Sequence, residues 1–123
     1  STSGALTAMD QFIDSFNNRD IDSWSKSLNY PHVRFASGSV KVWPDRETFI
    51  RETDLTPLIE SGWDHSHWLS RKVIMSSPGK VHISTIFQRF NNENMPISSY
   101  QSLYIVTLIN GHWGVQARSS LAP

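Results

Sequence analysis

The second half of the chain is patterned as two β-hairpins in succession, which constrains the fold more than any other feature. Four segments rich in β-branched and aromatic side chains follow one another: residues 63–77, 80–92, 97–109 and 112–120. Pro78-Gly79 joins the first two segments and suits a type II turn. Asn110-Gly111 joins the last two, and this pair is favoured where both central residues of a turn need a positive φ. The sequence therefore predicts a meander of four antiparallel strands.

The first half predicts helices and one short hairpin. Within residues 3–20, apolar side chains recur at the spacing of one helical face: Leu6, Met9, Phe12, Ile13 and Phe16. Three further elements are expected: a helix over residues 21–28, a hairpin over residues 30–44 and a helix over residues 45–62. Asp20 is a suitable N-cap for the second helix, and Pro57 is expected to break or restart the third.

The predicted hairpin over residues 30–44 has two chemically different sides. Val33 and Phe35 share one side of its first strand, and His32 and Arg34 share the other. A Ser-Gly turn and two further valines complete the hairpin.

One α+β domain is expected to span residues 1–123. A chain of this length buries about two thirds of its unfolded surface, which is enough for one hydrophobic core. The order of helix, helix, two strands, helix and four-strand meander is that of an α+β fold. The chain has no cysteine, which excludes disulfides, thiolate catalysis and zinc sites with cysteine ligands.

The net charge is zero, but the two halves of the chain differ. Through Asp64 there are ten acidic residues and six lysines and arginines, and after Asp64 only Glu93 is acidic. Five basic residues accompany that single acid: Arg71, Lys72, Lys80, Arg89 and Arg118. Zero net charge argues against a nucleic acid partner, and no apolar run approaches the ~18 residues of a membrane span. We therefore expect no membrane partner and a cytoplasmic location.

The order of elements and the C-terminal segment SLYIVTLINGHWGVQARSSLAP resemble the nuclear transport factor 2-like superfamily. This superfamily includes ketosteroid isomerases, SnoaL-like polyketide cyclases and the association domain of calcium/calmodulin-dependent protein kinase II. The resemblance implies a cone-shaped α+β fold, in which three helices from the N-terminal half pack on a strongly curved antiparallel sheet. It also implies an open cone that holds a small ligand and, usually, a dimer.

The resemblance does not determine the chemistry, because one fold supports enzymes, binding modules and assembly domains. The ketosteroid isomerase mechanism needs a carboxylate base and an oxyanion hole made by a tyrosine and a protonated acid. Only Glu93 is acidic after Asp64, and the first helix has no tyrosine, so this chemistry is not supported. A SnoaL-like cyclase needs a general acid or base. Four histidines are candidates for that role: His32, His65, His67 and His82.

His65 and His67 are separated by one residue in a predicted strand, so their side chains should share a face about 7 Å apart. Both could bind one metal ion, but the only later acid, Glu93, lies in a predicted loop and offers no third ligand. We therefore expect no metal and no cofactor, and we interpret the pair as part of a pocket wall, with exposure on the strand as the alternative. Trp63 is a further candidate, since a tryptophan that lined the cone would favour a flat or apolar ligand.

Arg118 and Tyr104 are the preferred ligand-binding residues. In the kinase association domain, the arginine of the corresponding Arg-Ser lines the pocket, and Tyr104 falls at another pocket-lining position. Regular pairing across the Asn-Gly turn would place Tyr104 opposite Ala117 and turn Arg118 to the other face. A bulge at Gly114 would reverse this parity. A surface position for Arg118 and a core position for Tyr104 are the alternatives.

Two functions remain open, and the sequence does not decide whether the chain is an enzyme. The first is a small-molecule-binding SnoaL-like protein with aromatic, histidine and arginine side chains in its cone. It includes an isomerase, cyclase or hydratase acting on a small carboxylate or apolar ring compound. The second is a non-catalytic assembly module with a vestigial pocket.

Two partners are expected from these functions. An anionic small molecule is favoured as the ligand, because the second half is basic and the guanidinium of Arg118 offers a planar fork of donors. We also expect a homodimer through the exposed face of the sheet, whose apolar side chains exceed what three helices can cover.

Overall fold

The computed structural model describes residues 1–123 as one six-stranded sheet with four helices. The strands are β1 (Leu28–Ala36), β2 (Ser39–Trp43), β3 (His65–Ser77), β4 (Lys80–Phe90), β5 (Pro96–Ile109) and β6 (His112–Ser120). Their order in the sheet is β2-β1-β6-β5-β4-β3. The predicted meander is confirmed, because β3, β4, β5 and β6 pair antiparallel in sequence.

The helices are α1 (Thr2–Asn17), α2 (Ile21–Lys26), α3 (Arg46–Glu52) and α4 (Thr56–Glu60). The expected third helix is divided into α3 and α4, because Pro57 lies in the first turn of α4, where a missing N–H is tolerated. The predicted cap of α2 is confirmed: the Asp20 carboxylate accepts a hydrogen bond from the backbone N–H of Ser23 at 3.1 Å. None of the four helices has the length and apolar composition needed to cross a membrane.

One strand pair departs from the all-antiparallel sheet expected from the sequence. β1 pairs antiparallel with β2 but parallel with β6. A parallel pair requires a long crossover, and here two helices, α3 and α4, and four strands, β2 to β5, connect β1 to β6. The sheet is therefore mixed, with the short β1–β2 hairpin added to the edge of the meander.

The helix α1 packs on one face of the sheet, which we call the inner face; the opposite face is the outer face. Apolar residues of α1 are buried there and belong to a cluster of 13 buried residues. They include Ala5, Ala8, Met9 and Phe12. Gly4 allows the close approach, since a Cβ at that position would lie 2.4 Å from Nε1 of Trp113 on β6.

The β5–β6 pair contains the bulge on which the predicted site depends. Pairing is regular from the Asn-Gly turn to Val115 and resumes at Ala117, so Gln116 is an extra residue. The shift places Arg118 opposite Tyr104. The bulge therefore exists with the predicted effect on parity, but it lies at Gln116 and not at Gly114.

Gly114 has a different role from the one predicted. A Cβ on Gly114 would lie 2.7 Å from the carbonyl carbon of Leu28 and 2.8 Å from the backbone nitrogen of Asn29. Only glycine permits the backbones of β6 and β1 to approach this closely. The parallel pairing that follows places Arg34 of β1 beside Arg118 of β6.

Candidate functional site

A cavity of about 70 Å³ lies between α1 and the inner face of the sheet. Six of its 13 lining residues are aromatic: Phe12, Phe16, Trp24, Trp68, Phe87 and Tyr104. Three arginines from three different strands also line it: Arg34 from β1, Arg89 from β4 and Arg118 from β6. No aspartate or glutamate lines the cavity. The pocket is therefore largely apolar, and every charged side chain that lines it is positive.

Strand pairing explains why two of these arginines are neighbours. Arg34 is directly opposite Arg118 in the β1–β6 pair, and Arg118 is directly opposite Tyr104 in the β6–β5 pair. Side chains at paired positions point to the same face, and adjacent strands are about 4.8 Å apart. Two guanidinium groups and one phenol thus form a row across the inner face.

Arg118 is held in an aromatic cage. Its guanidinium carbon lies 5.4 Å from the ring centre of Phe12, 5.5 Å from that of Trp24 and 5.9 Å from that of Trp43. Burial lowers the pKa of Arg118 to about 10, Tyr104 partly opposes this decrease, and the charge of Arg34 adds to it. The group remains a cation at neutral pH, which in an apolar site favours binding of an anion.

His32 orients Arg118 from behind. The imidazole is completely buried, and its Nε2 accepts a hydrogen bond from Nε of Arg118 at 3.1 Å. Its Nδ1 then carries the proton and donates to the carbonyl oxygen of Val115 at 3.0 Å. Burial, with a smaller effect of the Arg118 charge, lowers the pKa of His32 to about 3. His32 is therefore a neutral acceptor, and both terminal nitrogens of Arg118 are left without a protein partner.

Arg34 and Arg89 were not predicted as site residues. Neither makes an ion pair or a side-chain hydrogen bond within the chain, whereas Arg19, Arg46 and Arg71 each pair with an aspartate. The guanidinium of Arg89 lies over two rings, 5.6 Å from the centre of Phe87 and 5.1 Å from that of Tyr100, and burial lowers its pKa.

Tyr104 occupies both positions that were considered from the sequence: it belongs to the hydrophobic core and it also lines the pocket. It is only 6% exposed, and its ring packs edge-on against Phe12 at 5.5 Å and Trp68 at 5.1 Å. Its hydroxyl group has no hydrogen-bond partner in the chain. Burial raises the pKa of Tyr104, although the charges of Arg118, Arg34 and Arg89 oppose the increase. The phenol is thus a neutral donor available to a ligand.

His65 and His67 do not form part of the pocket wall, contrary to the prediction. Ser66 and Trp68 of the same strand line the pocket, and strand alternation therefore turns both histidines to the outer face. There the ring of His65 stacks on Phe90, with 5.0 Å between the ring centres. The two imidazoles do share a face, with 5.1 Å between their ring centres.

Trp63 is also outside the pocket lining. Its indole is buried, with Nε1 donating to Oγ of Ser66 at 2.9 Å, and its ring packs on Phe16 at 4.7 Å. Asn17 reinforces this end of the fold, because its side-chain amide exchanges two 2.8 Å hydrogen bonds with the backbone of Ser66. Trp63 therefore supports the pocket from behind and does not line it.

A metal site is not assembled around the two histidines. The ring of His65 is hydrogen-bonded at both nitrogens, to Asp64 at 2.8 Å and to Asn94 at 3.1 Å. No group of three or more histidine, aspartate and glutamate side chains lies close enough to hold a metal ion. The expectation of no metal stays a prediction.

Comparison with solved structures identifies the class of fold. One similar structure is a protein of unknown function with a cystatin-like fold from Nostoc punctiforme, with 10% identity, a TM-score of 0.77 and coverage of 98% of this chain and 89% of that chain. A ketosteroid isomerase-like protein from Erwinia carotovora atroseptica has 13% identity, a TM-score of 0.71 and coverage of 97% and 93%. A protein from Catenulispora acidiphila in complex with S-DNPA has 9% identity, a TM-score of 0.74 and coverage of 98% and 91%. Likeness at these identities shows the fold alone.

The chain thus has the cone-shaped α+β fold of the nuclear transport factor 2-like (NTF2-like) proteins, as the sequence predicted. A family model described as NTF2-like protein (DUF6841) matches residues 5–121, and the chain belongs to this family. Comparison with curated proteins gives no match.

Proposed function

We propose that the chain binds a small anionic organic molecule in the cone pocket, with Arg118 and Tyr104 as ligand-binding residues and Arg34 and Arg89 assisting. The observation that carries this proposal is the presence of three arginines without a carboxylate partner in one aromatic pocket. All three side chains are partly buried, and even partial desolvation of an unpaired charge is costly. An anion bound from solution would supply the missing partner.

The pocket wall suggests the rest of the ligand. The rings of Phe12, Phe16, Trp68 and Phe87 provide apolar contact area, which suits a flat or apolar group attached to the anion. The ketosteroid isomerase-like relative and the complex with S-DNPA are consistent with small-molecule binding in this fold. Both comparisons support the proposal only by analogy of fold.

Binding is better supported than catalysis of the isomerase, cyclase or hydratase type. A general acid or base must reach the reacting atoms and titrate near the working pH. No carboxylate lines the pocket, His32 is buried behind Arg118 with a pKa lowered to about 3, and burial raises the pKa of Tyr104. The lining offers donors for an anion but no group poised for proton abstraction.

The test is calorimetry and thermal shift with small aromatic carboxylates such as benzoate. Substitution Arg118→Ala should weaken binding by about 1.5–3 kcal/mol, the range for a charge-assisted hydrogen bond, or about 10–150-fold in Kd. Arg51→Ala is the matched control, because Arg51 is exposed on α3 and does not line the pocket. Binding that is equal in Arg118→Ala and Arg51→Ala would contradict the proposal.

We also propose that two copies of the chain pair through the outer face. The outward positions on β1, β6 and β5 are Val33, Phe35, Ala117, Ser119, Leu103 and Ile105, as strand pairing shows. None of them is charged, and Phe35 is 48% exposed. The flanking strand β2 adds the exposed Val40 and Val42. Zero net charge gives little repulsion between copies, and isologous pairing would cover the same patch on both.

The dimer also represents the second candidate function, an assembly module. A pocket that binds no anion, combined with a stable dimer, would favour this function over ligand binding. The two proposals rest on opposite faces of the sheet, so each can be tested without disturbing the other.

A further inference from the structure

The pocket carries more positive charge than one carboxylate can neutralise. Of the seven arginines in the chain, the three that have carboxylate partners lie outside the pocket, and the three that line the pocket have none. The lining includes no acidic side chain that could share the compensation. A monoanion would therefore leave two of the three guanidinium charges uncompensated in an aromatic environment.

The pocket also has more hydrogen-bond donors than one carboxylate can satisfy. Arg118 uses only Nε, in its bond to His32, and keeps the N–H groups of both terminal nitrogens. Arg34 and Arg89 make no side-chain hydrogen bond, and each guanidinium has about five N–H donors. The free hydroxyl of Tyr104 adds one more. A carboxylate accepts about four hydrogen bonds through two oxygens in one plane, so most of these donors would lack an acceptor.

The donors approach from more than one direction. Arg34, Arg118 and Tyr104 lie in one row across three adjacent strands, whereas Arg89 lies on β4 with its guanidinium over Phe87 and Tyr100. Tyr104 is on β5, the strand between β6 and β4 in the sheet, and so lies between the strands that carry Arg118 and Arg89. A tetrahedral group with three terminal oxygens can accept hydrogen bonds from several directions, unlike a planar one.

Resting on the proposed function, we propose that the physiological ligand has a dianionic phosphoryl head, as in a phosphate monoester with a small planar or apolar organic part. A phosphate monoester has a charge of about −2 at pH 7 and three strong acceptor oxygens. Arg118 and Arg34 bind the head, Tyr104 donates a further hydrogen bond, and Arg89 provides the third positive charge. The organic part lies against the aromatic rings of the wall.

Isothermal titration calorimetry at pH 7.5 with two matched ligands tests this inference. Phenyl phosphate and benzenesulfonate have the same ring and three terminal oxygens, but the first is a dianion and the second a monoanion. Phenyl phosphate should bind at least about 10-fold more tightly, and Arg34→Gln or Arg89→Gln should reduce this preference while benzenesulfonate binding changes less. Inorganic phosphate should bind more weakly than phenyl phosphate, because it leaves the aromatic wall without contact. Arg51→Ala should change none of these affinities.

The pH dependence gives a second measure of the dianion preference. The second ionisation of a phosphate ester has a pKa of about 6, so the affinity for phenyl phosphate should fall about 5–10-fold between pH 7.5 and pH 5, and the larger value applies if the monoanion does not bind. The affinity for benzenesulfonate should not change over the same pH range. The ionisable groups that face the head are the three arginines and Tyr104, with His32 behind them; α1 and β3 contribute none to the lining. Arginines stay protonated and phenols neutral in this range, and the pKa of His32 lies at about 3.

The outcomes separate this inference from the proposed function. Equal, Arg118-dependent binding of benzoate, benzenesulfonate and phenyl phosphate would overturn the dianion preference and leave the anion pocket in place. Inorganic phosphate that binds as tightly as phenyl phosphate would overturn the monoester. No binding of any of these probes would contradict both proposals.

Discussion

Where β1 and β6 line the pocket, the inner and outer faces of the sheet carry the reverse of the side chains usual in a half-buried sheet. On the inner face, β1 and β6 carry Arg34 and Arg118 side by side. On the outer face, the next residues along the same strands include Phe35 and Val33, with exposed or half-buried apolar side chains. Sheets with one solvated face usually place apolar side chains toward the core and charged ones toward water.

In our proposals, each face is adapted to a partner that is not part of the chain. The charges on the inner face are compensated by an anion in our proposal, and the apolar outer face is covered by a second copy. One strand can contribute to both the pocket and the proposed dimer interface, because neighbouring positions in a strand point to opposite faces of the sheet. Substitutions can therefore disturb one face while leaving the other intact.

The largest expected effect comes from a charge placed on the outer face. Phe35→Asp would put an unpaired carboxylate at the centre of the proposed dimer interface, twice because of the symmetry. The penalty for burying such a charge is several kcal/mol, so we expect dimer Kd to rise about 1,000-fold, or about 4 kcal/mol. Analytical ultracentrifugation measures the change.

The control for this substitution is Met95→Asp. Met95 is exposed to a similar extent, 56% against 48%, but it precedes β5 in a turn and lies away from the central strands. It should leave the dimer intact, and Phe35→Asp should still bind anions in the pocket. An unsubstituted protein that sediments as a monomer at micromolar concentration would refute the dimer.

A smaller effect is expected where the two arginine-bearing strands meet. Gly114→Ala introduces a Cβ that would lie 2.7 Å from the backbone of Leu28, and backbone atoms cannot move aside as a flexible side chain can. Overpacking typically costs about 1–3 kcal/mol, and we expect the upper end of this range in the free energy of unfolding. Anion affinity should also fall, because separation of β1 from β6 moves Arg34 away from Arg118.

Gly79→Ala is the matched control for the strand contact. Gly79 lies in the β3–β4 turn, and a Cβ there would meet no atom within 4 Å. Chemical denaturation should show little loss of stability for Gly79→Ala. A similar free energy of unfolding for the two variants would show that the close approach of β1 and β6 is not required.

Local signals in the sequence account for most of the fold. Pro78-Gly79 joins β3 to β4 as predicted, but Gly79 lacks the positive φ that the predicted type II turn requires, so the predicted turn type was wrong. Asn110-Gly111 forms the turn with two positive φ angles that its preference predicts, and Asp20 caps α2. Each of these depends on residues within a few positions of one another. The placement of β1 beside β6 has no such signal, since it joins segments about 80 residues apart in sequence.

That long-range pairing explains why the site was only partly predictable. Alternation correctly grouped His32 with Arg34, but only the contact with β6 decides that this side faces inward. Similarly, His65 and His67 were correctly expected to share a face of the sheet. Little in the sequence indicates whether that face is inner or outer, because the residue between them, Ser66, is small and polar although it is buried. The bulge at Gln116 could be inferred from the conflict over Arg118, but no residue preference marks its position.

The last prediction concerns His32, which joins the two arginine-bearing strands through its bonds to Arg118 and to the backbone of Val115. Its pKa is lowered from 6.5 to about 3 in the folded protein, so unfolding at acidic pH allows the imidazole to take up a proton. The stabilising contribution is complete above pH 6.5 and is lost progressively as the pH falls toward 3. Linkage gives a loss of about 2 kcal/mol at pH 5 relative to pH 7.5.

The variant His32→Gln isolates this contribution, because an amide can also accept from Arg118 and donate to Val115 but does not titrate. Urea denaturation from pH 7.5 to pH 5 should show that the unsubstituted protein loses about 2 kcal/mol more stability than the variant. His82→Gln removes a half-exposed histidine of β4 that does not line the pocket, and it is measured alongside as the control for loss of a histidine elsewhere in the sheet. If the His32→Gln curve is parallel to that of the unsubstituted protein, His32 titrates freely in the folded protein, and its role as the neutral acceptor that orients Arg118 is wrong.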